Sequence, residues 1–164
     1  MNMPVTKKRR PLWFWPSAVA AAAIIFLSSA SVTGQDTANT WTPSDLLAPA
    51  QLAKQISNKG PQPLLIHVGF PVLYKGAHLP GSPYAGPGSK PAGLDELAKL
   101  TGSTPKGREI VLYCGCCPWD KCPNVRPAYG QLREKGFTNV KVLMIPTNMH
   151  TDWVEHGYPI EKGQ

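Results

Sequence analysis

Residues 110–137, IVLYCGCCPWDKCPNVRPAYGQLREKGF, predict a strand, a loop and a helix in direct succession. The first four residues are apolar, as expected of a buried strand, and the strand ends at Cys114. From Val125 onward apolar side chains recur at helical spacing, and Gly136 is placed to end the helix. Loop amides and a helix N-terminus both favour negative charge, so this stretch is suited to presenting a reactive thiolate. The loop also contains the other three cysteines of the chain, Cys116, Cys117 and Cys122.

The same alternation of strand and helix patterns extends along the chain. Apolar runs and amphipathic patterns predict two more strands, over residues 64–68 and 140–145, and helices over residues 49–57, 94–100 and 125–135, with a last helical turn over 152–156. Strands that alternate with helices indicate an α/β fold with a parallel sheet covered by helices on both faces. Reactive groups in such sheets lie beyond the carboxyl ends of the strands, which is where Cys114 falls.

The beginning of the chain has the pattern of an export signal. Basic residues at 7–10 precede an apolar run over 12–32 that ends in small residues, as in a secretory signal peptide. The run is also about long enough to cross a bilayer, and the aromatic residues 13–15 suit a membrane interface. Both a cleaved signal and a retained anchor fit this pattern.

A domain organisation follows from that pattern. Residues 1–34 are predicted to be a signal peptide or an N-terminal membrane anchor, residues 35–42 a linker, and residues 43–164 the folded domain. The domain is expected in the periplasm or otherwise outside the cytoplasm, either released or anchored to the inner membrane by residues 12–32. Contact with the membrane is then expected through the N-terminal segment only.

The charge of the chain gives no sign of a nucleic-acid partner. Its 17 basic and 10 acidic residues give a net charge of +7, but four of the basic residues lie at 7–10. Beyond Gln35 the balance is 13 basic against 10 acidic residues, or +3. No stretch interleaves basic and aromatic residues, so nucleic-acid binding is not expected.

Three separate segments carry a family resemblance. Residues 65–68, LIHV, with 78–82, HLPGS, are similar to a strand followed by a GHIPGA-type turn. Residues 111–114, VLYC, are similar to a strand that ends in a catalytic cysteine, and residues 132–159 to a closing helix, strand and C-terminal turn. By these segments the chain resembles the rhodanese-like family, a single-domain sulfurtransferase fold. The resemblance implies a parallel sheet flanked by helices, with an extended cysteine-rich loop at the active site.

The resemblance also implies a function. The chain is expected to be an exported sulfurtransferase or persulfide carrier, with Cys114 as the catalytic cysteine. That thiol would accept a sulfane sulfur from a small sulfur-containing donor and pass it to a thiol or another acceptor, with no cofactor or metal. Lys121 and Arg126 would supply positive charge for the persulfide anion, and His78 would hold the turn at 78–82. A periplasmic protein is a further possible partner.

The chain departs from the family pattern at informative positions. His67 and Gly69 stand where the family has Asp and Arg on the first strand, and Asn124 stands where its loop has an arginine. His67 is expected to be a hydrogen-bonded buried group rather than a base. No cysteine begins a Cys-x5-Arg sequence, which disfavours the phosphate chemistry of a related phosphatase.

The three further cysteines allow several interpretations. One of them could attack a persulfide on Cys114, release the sulfur and close a disulfide. Alternatively, a stapling disulfide from Cys114 or Cys117 to Cys122 would leave a non-catalytic scaffold whose loop binds a partner. A thiolate site for zinc or copper(I) is a third interpretation. It is disfavoured because the adjacent pair Cys116 and Cys117 does not match the usual Cys-x2-Cys spacing.

Overall fold

The computed structural model describes residues 41–58 and 60–163. The predicted signal or anchor at 1–34 and all but the end of the predicted linker lie outside these ranges. Within the described ranges, no helix has both the length and the hydropathy that a membrane crossing needs. The location of the protein therefore stays a prediction from the sequence.

Four strands form one sheet in the order β1-β4-β3-β2. They are β1 (Leu46–Leu47), β2 (Leu64–His67), β3 (Ile110–Tyr113) and β4 (Val140–Leu143). Every neighbouring pair is parallel. In the register of β2 and β3, Leu65 pairs with Val111 and His67 with Tyr113. The predicted parallel sheet is confirmed, and β3 lies inside it with strands on both sides.

The three longer strands match the predicted apolar runs, because a parallel strand is buried on both faces and reads as continuous apolar sequence. All four residues of β3 are buried. The two-residue strand β1 was not predicted, because two residues are too short for any period to be seen. Its two residues pair in register with Val142 and Leu143 of β4.

In the part of the chain that the structure describes, four α-helices connect or flank the strands: α1 (Pro49–Ser57), α2 (Pro71–Gly76), α3 (Pro91–Leu100) and α4 (Val125–Glu134). The first three begin at a proline, whose fixed φ and missing N–H are tolerated in a first turn. The helices predicted at 49–57, 94–100 and 125–135 are confirmed within a few residues. Helix α2 was not predicted, and the last helical turn is a π-helical turn at His150–Val154.

Side chains of β3 alternate between two apolar layers. Ile110 and Leu112 pack with α3 and α4, through residues such as Leu97 and Leu132. Val111 and Tyr113 belong to the opposite layer with Leu52 of α1, and with other buried residues such as Trp153. Full burial of one such side chain stabilises the fold by about 1.5–3 kcal/mol. Both faces of the sheet are therefore covered, as predicted.

Candidate active site

The central strand β3 delivers Cys114 to the carboxyl edge of the sheet. Cys114 follows Tyr113 directly, and its side chain is only 3% exposed. Gly115 then turns the chain with a φ of +77°, a conformation that residues with a β-carbon rarely adopt. The carbonyl of Gly115 accepts a hydrogen bond from the backbone N–H of Met149 at 3.0 Å. The reactive loop is thereby tied to the segment that follows β4.

The loop brings the sulfur atoms of the four cysteines together around Cys116. The Sγ of Cys116 lies 3.2 Å from that of Cys114, 3.0 Å from that of Cys117 and 3.9 Å from that of Cys122. A 3₁₀ turn at Trp119–Lys121 returns the chain so that Cys122 reaches this group. All four cysteines carry free thiols.

Asn124 holds its side-chain amide against the sulfur of Cys114. Its Oδ1 accepts hydrogen bonds from the backbone N–H of Ser89 at 3.2 Å and from the Ser89 hydroxyl at 2.7 Å. These donors orient the amide so that its Nδ2 faces Cys114 Sγ at 3.5 Å. Asn124 is fully buried. It therefore presents a fixed N–H donor to the thiol, at the position where the family pattern has an arginine.

Gly69 leaves room for the same sulfur. A β-carbon at this position would lie 2.6 Å from Cys114 Sγ and 2.8 Å from Cε1 of His67. Both distances are shorter than any ordinary contact, so the chain has space for the thiol only because residue 69 has no side chain. The arginine that the family pattern places there could not occupy this space without moving the thiol.

Both ring nitrogens of His67 form hydrogen bonds. The backbone N–H of Gly69 donates to its Nδ1 at 3.2 Å, so the proton lies on Nε2, which donates to the carbonyl of Cys114 at 3.1 Å. Burial lowers the pKa of His67 to about 4, so the ring is neutral near pH 7. His67 thus positions the backbone around Cys114 and does not itself contact the sulfur with a free nitrogen.

Burial and neighbouring groups shift the pKa values of the cysteines in opposite directions. Interaction with the nearby thiol of Cys114 lowers the pKa of Cys122 to about 5, against the opposing effect of burial. Backbone N–H groups of Asn124 and Val125, at the start of α4, contribute in the same direction. The same interaction with Cys122, together with burial, raises the pKa of Cys114. Burial and a hydrogen bond to Cys116 raise the pKa of Cys117 to about 12.

The two predicted cationic residues lie on the loop and on α4. Lys121 is exposed at the end of the 3₁₀ turn. The guanidinium of Arg126 lies over the ring of Trp41, 4.5 Å from its centroid. Trp41 in turn packs edge-on against Trp119, with 5.8 Å between the ring centroids. Arg126 and Trp119 therefore pack on the same aromatic ring, that of Trp41, beside the cysteine loop.

His78 lies in the turn that precedes the second half of the chain. Its Nδ1 donates to the carbonyl of Tyr74 at 2.8 Å, and the two rings stack with 4.0 Å between centroids. The hydroxyl of Tyr74 donates to the carbonyl of Ser82 at 2.8 Å, and the hydroxyl of Tyr113 accepts from the N–H of Leu79 at 2.9 Å. These bonds fix the turn at 78–82 to α2 and to β3.

A cavity of about 410 Å³ opens over the thiols. Its walls come from α2, from the start of the cysteine loop and from the segment after β4: Val72, Leu73, Gly76, Ala77, Cys114, Gly115, Cys116, Asn148, Met149, His150 and Val154. A larger cavity of about 580 Å³ lies near the start of β2 and Arg108, and no cysteine lines it. Only the first of these two cavities gives a ligand access to Cys114.

The same thiols could hold a soft metal ion. The sulfur atoms of Cys114, Cys116 and Cys122 all lie within 4.8 Å of one another. Thiolates are ligands for zinc, and soft monovalent metals such as copper(I) also accept them. The sequence spacing gave no indication of this grouping, because it depends on the 3₁₀ turn.

Sequence reasoning missed the roles of Ser89 and Met149. Ser89 lies in a loop that reads only as Gly/Pro-rich turn sequence, and Met149 lies in a segment with no clear period. No local pattern points to either residue, because each contacts the site through the tertiary fold. The signals for Gly69 and Asn124 were present as departures from the family pattern.

Solved structures with the same architecture identify the fold. The chain matches the Alr3790 protein of Anabaena sp. with a TM-score of 0.55 at 20% identity, over 71% of this chain and 92% of that one. A solution structure of the rhodanese-like domain of the same Anabaena protein matches with a TM-score of 0.53 at 19% identity, over 72% of this chain and 79% of that one. The chain has a rhodanese-like fold.

Two other matches agree with the rhodanese-like fold. The BH2092 protein of Bacillus halodurans matches with a TM-score of 0.57 at 23% identity, over 73% of this chain and 77% of that one. A thiosulfate sulfurtransferase of Pseudomonas aeruginosa matches with a TM-score of 0.51 at 22% identity, over 73% of this chain and 20% of that one. No family model and no curated protein matches the sequence. The predicted resemblance is therefore confirmed as a likeness of fold.

Proposed function

We propose that this protein is a sulfurtransferase or persulfide carrier in which Cys114 bears the transferred sulfur. One observation carries the proposal: Cys114 ends the central strand of a rhodanese-like fold, lines a cavity and contacts other thiols. A fold of this kind is compatible with sulfurtransferase chemistry, and the cysteine group supplies the nucleophile that such chemistry needs.

The pair Cys114 and Cys122 provides a way to activate the nucleophile. The thiol of Cys114 donates a hydrogen bond to the sulfur of Cys116 at 3.2 Å, and the sulfur of Cys122, whose pKa is lowered to about 5, lies within 4.8 Å of both. As Cys114 attacks a sulfane sulfur, Cys122 accepts the proton, so the buried thiol never has to ionise alone. With a persulfide donor, Cys114–SH and R–S–S⁻ give Cys114–S–S⁻ and R–SH. The donor S–S bond breaks, its electron pair leaves on the thiolate R–S⁻, and Cys122 returns the proton to that thiolate, which gives R–SH.

Fixed donors then stabilise the persulfide. The amide of Asn124 points at Cys114 Sγ from a buried position, and its orientation is set by Ser89. The cavity next to Cys114 gives the added sulfur a place outside the packed core. Lys121 and Arg126 are proposed as the sources of positive charge around this anion, with the start of α4 acting in the same sense.

Two acceptors fit the geometry. An external thiol can enter the cavity and take the outer sulfur. Alternatively, Cys116, whose sulfur is 3.2 Å from that of Cys114, can attack the inner sulfur. In that reaction Cys114–S–SH and Cys116–SH give a Cys114–Cys116 disulfide and hydrogen sulfide, and a dithiol must later reduce the disulfide. A periplasmic thiol protein is the proposed partner for that reduction.

The proposed site of action is outside the cytoplasm. It rests on the basic and apolar pattern of residues 1–34, which fits a signal peptide or an inner-membrane anchor. Cell fractionation of the full-length protein tests it: the protein is expected in the periplasm or on the periplasmic face of the inner membrane. Recovery in the cytoplasm would contradict the proposal.

Intact mass spectrometry tests the activity. The full-length protein is reduced, freed of reductant, mixed with an excess of a thiosulfonate or polysulfide donor, and measured over time. A mass increase of one sulfur atom is expected. The Cys114→Ser variant should show none, while Cys117→Ser should behave like the natural sequence. A protein that gains no sulfur from any donor would not be a sulfurtransferase.

A second candidate function is a non-catalytic scaffold with a closed cysteine loop. It is favoured by the mutual distances of the three sulfurs, which suit a disulfide or a metal-thiolate site as well as sulfur transfer. Thiol counting and metal analysis of protein prepared without reductant or chelator distinguish the candidates. Four alkylatable thiols and no bound metal support sulfur transfer, whereas a blocked Cys114 supports the scaffold.

A further inference from the structure

We propose that the cavity over Cys114, defined by the eleven residues given above, selects organic sulfane-sulfur donors with an apolar body and at most one negative charge, over inorganic thiosulfate. The inference rests on the proposed function, since it concerns the donor for the same thiol. It specifies the chemical class of that donor, which the fold alone does not. The supporting observations are the size of the cavity, its lining and the charges around it.

The cavity is too large for a small inorganic anion. Its volume of about 410 Å³ lies in the range of about 300–1,000 Å³ that is typical of sites for organic ligands. Thiosulfate has five atoms and would leave most of this space to water. A donor with an aromatic or aliphatic body would fill it while placing a terminal sulfur at Cys114.

The walls are mainly apolar. Val72 and Leu73 come from α2, and Met149 and Val154 from the segment after β4. Val72 is 74% exposed and therefore lies at the mouth of the cavity, where a ligand would cover it. Met149 packs closely on Gly115, where an added β-carbon would lie 2.7 Å from Cβ of the methionine. The apolar walls are thus held against the base of the cysteine loop.

The lining offers no strong partner for a dianion. None of the eleven lining residues is Lys, Arg, Asp or Glu, and the ionisable group on the wall other than the cysteines is His150. Its Nε2 is already 3.3 Å from the carboxylate of Glu155. The side-chain oxygen of Asn148 accepts from the N–H of Thr151, and the backbone N–H of Asn148 donates to Asp152. The side-chain oxygen and backbone N–H of Asn148 and the ring of His150 are therefore engaged, and two carboxylates lie behind them.

The acidic side chains behind one wall of the cavity disfavour a second negative charge on the donor. Asp152 and Glu155 belong to the segment that forms one wall, and Lys75, the one charged side chain of α2, is exposed and does not line the cavity. A donor with one negative charge located at its reacting sulfur meets less repulsion here than thiosulfate, which carries two.

Three donors separate the effects of body and charge. Benzenethiosulfonate and methanethiosulfonate both carry one charge and differ in the apolar body. Methanethiosulfonate and thiosulfate are similar in size and differ in charge. In each case the Cys114 thiol and the donor give the Cys114 persulfide anion and a proton, with a sulfinate as the leaving group from a thiosulfonate and sulfite as that from thiosulfate. The rate of one-sulfur addition to the full-length protein is measured by mass and divided by the rate of each donor with free glutathione.

The expected order of these normalised rates is benzenethiosulfonate, methanethiosulfonate, thiosulfate. The normalised rate with benzenethiosulfonate is expected to exceed that with methanethiosulfonate about tenfold, since burying a ring removes a large apolar area from water. A thiosulfate rate equal to or above that of benzenethiosulfonate would overturn the inference and leave the proposed function intact. No sulfur addition from any of the three would instead remove the proposed function.

A pair of charge-adding variants tests the role of the wall. Val72→Lys places a cation at the cavity mouth on an exposed position, so folding should be unaffected. It is expected to raise the thiosulfate rate several-fold relative to methanethiosulfonate and to lower the advantage of benzenethiosulfonate. Ser103→Lys adds the same charge at an exposed residue after α3 and should change neither ratio. Equal effects of the two variants would show that the wall does not select the donor.

Discussion

Gly69 and Cys114 share one small space: a β-carbon on residue 69 would lie 2.6 Å from the sulfur of Cys114. The glycine comes two residues after β2, and the cysteine comes directly after β3. Because β2 pairs with β3, the side chain of Cys114 occupies the space that a side chain on residue 69 would need. The position of the reactive sulfur depends on this relationship.

Gly69→Ala should displace the sulfur of Cys114 or the ring of His67. Because the neighbouring atoms belong to a packed interior, the expected cost is about 1–3 kcal/mol in the free energy of unfolding, with at least a tenfold loss of sulfur loading. Denaturant unfolding and loading kinetics measure the two effects. Gly130→Ala in α4, where the added carbon would meet nothing within 4 Å apart from its own helix backbone, is the control and should leave loading unchanged. Normal loading by Gly69→Ala would show that this close approach does not matter.

Asn124→Asp should weaken the activation of the thiol pair. The substitution keeps the size and the acceptor for Ser89, but replaces an N–H donor 3.5 Å from Cys114 Sγ by a negative oxygen. Thiolate formation then becomes less favourable, and sulfur loading near pH 7 is expected to fall about tenfold or more. Ser89→Ala, which removes only one of the two donors to Asn124, should have a smaller effect. If Asn124→Asp loads at the natural rate, the amide has no part in the reaction.

Sulfur loading should rise with pH around pH 5. The pKa of Cys122 is lowered from its ordinary value of 9.0 to about 5, so its sulfur can accept the Cys114 proton over most of the usual pH range. Loading should therefore be nearly constant above about pH 6, when the donor's own ionisation is held constant. Cys122→Ser should move the rise to higher pH or abolish loading. A rise centred near pH 8 to 9 in the natural sequence would contradict the proposed proton transfer.

The fold should lose stability in acid through His67. Its pKa is about 4 in the folded protein against 6.5 as the ordinary value, so the unfolded chain binds the proton more readily between these values. The contribution of the neutral His67 ring to the free energy of unfolding is fully present above about pH 6.5 and is lost as the pH falls towards 4. It amounts to at most about 3 kcal/mol. Urea unfolding at a series of pH values measures it, and His67→Gln should remove this part of the pH dependence. An identical pH dependence in both proteins would contradict the assignment.

The sequence predicted the strands and helices whose apolar residues follow a regular spacing. The apolar runs of β2, β3 and β4 and the amphipathic pattern of α4 are long enough to be read directly, and they place Cys114 at the sheet edge. Strand β1 and helix α2 have two and six residues, and their formation depends on pairing and packing with distant segments. Local patterns do not record such contacts.

The chemistry of the site was less predictable than its position. From the sequence, the loop amides and nearby positive charges were expected to lower the pKa of Cys114. In the structure, the pKa of Cys122 is lowered instead. The difference arises mainly from the interaction of Cys122 with the Cys114 thiol, with backbone N–H groups of Asn124 and Val125 at the start of α4 acting in the same direction. Likewise, the contact of Ser89 with Asn124 joins residues 35 positions apart, and only the folded chain brings them together.

The central claim is that the transferred sulfur resides on Cys114. The most direct measurement is tandem mass spectrometry of the full-length protein after sulfur loading, alkylation and digestion. Peptides that contain each of the four cysteines must be identified. The account predicts one added sulfur on Cys114 at early times, followed by transfer or by a Cys114–Cys116 disulfide. Sulfur found first on Cys116, Cys117 or Cys122, and still added at the natural rate in Cys114→Ser, would contradict the account.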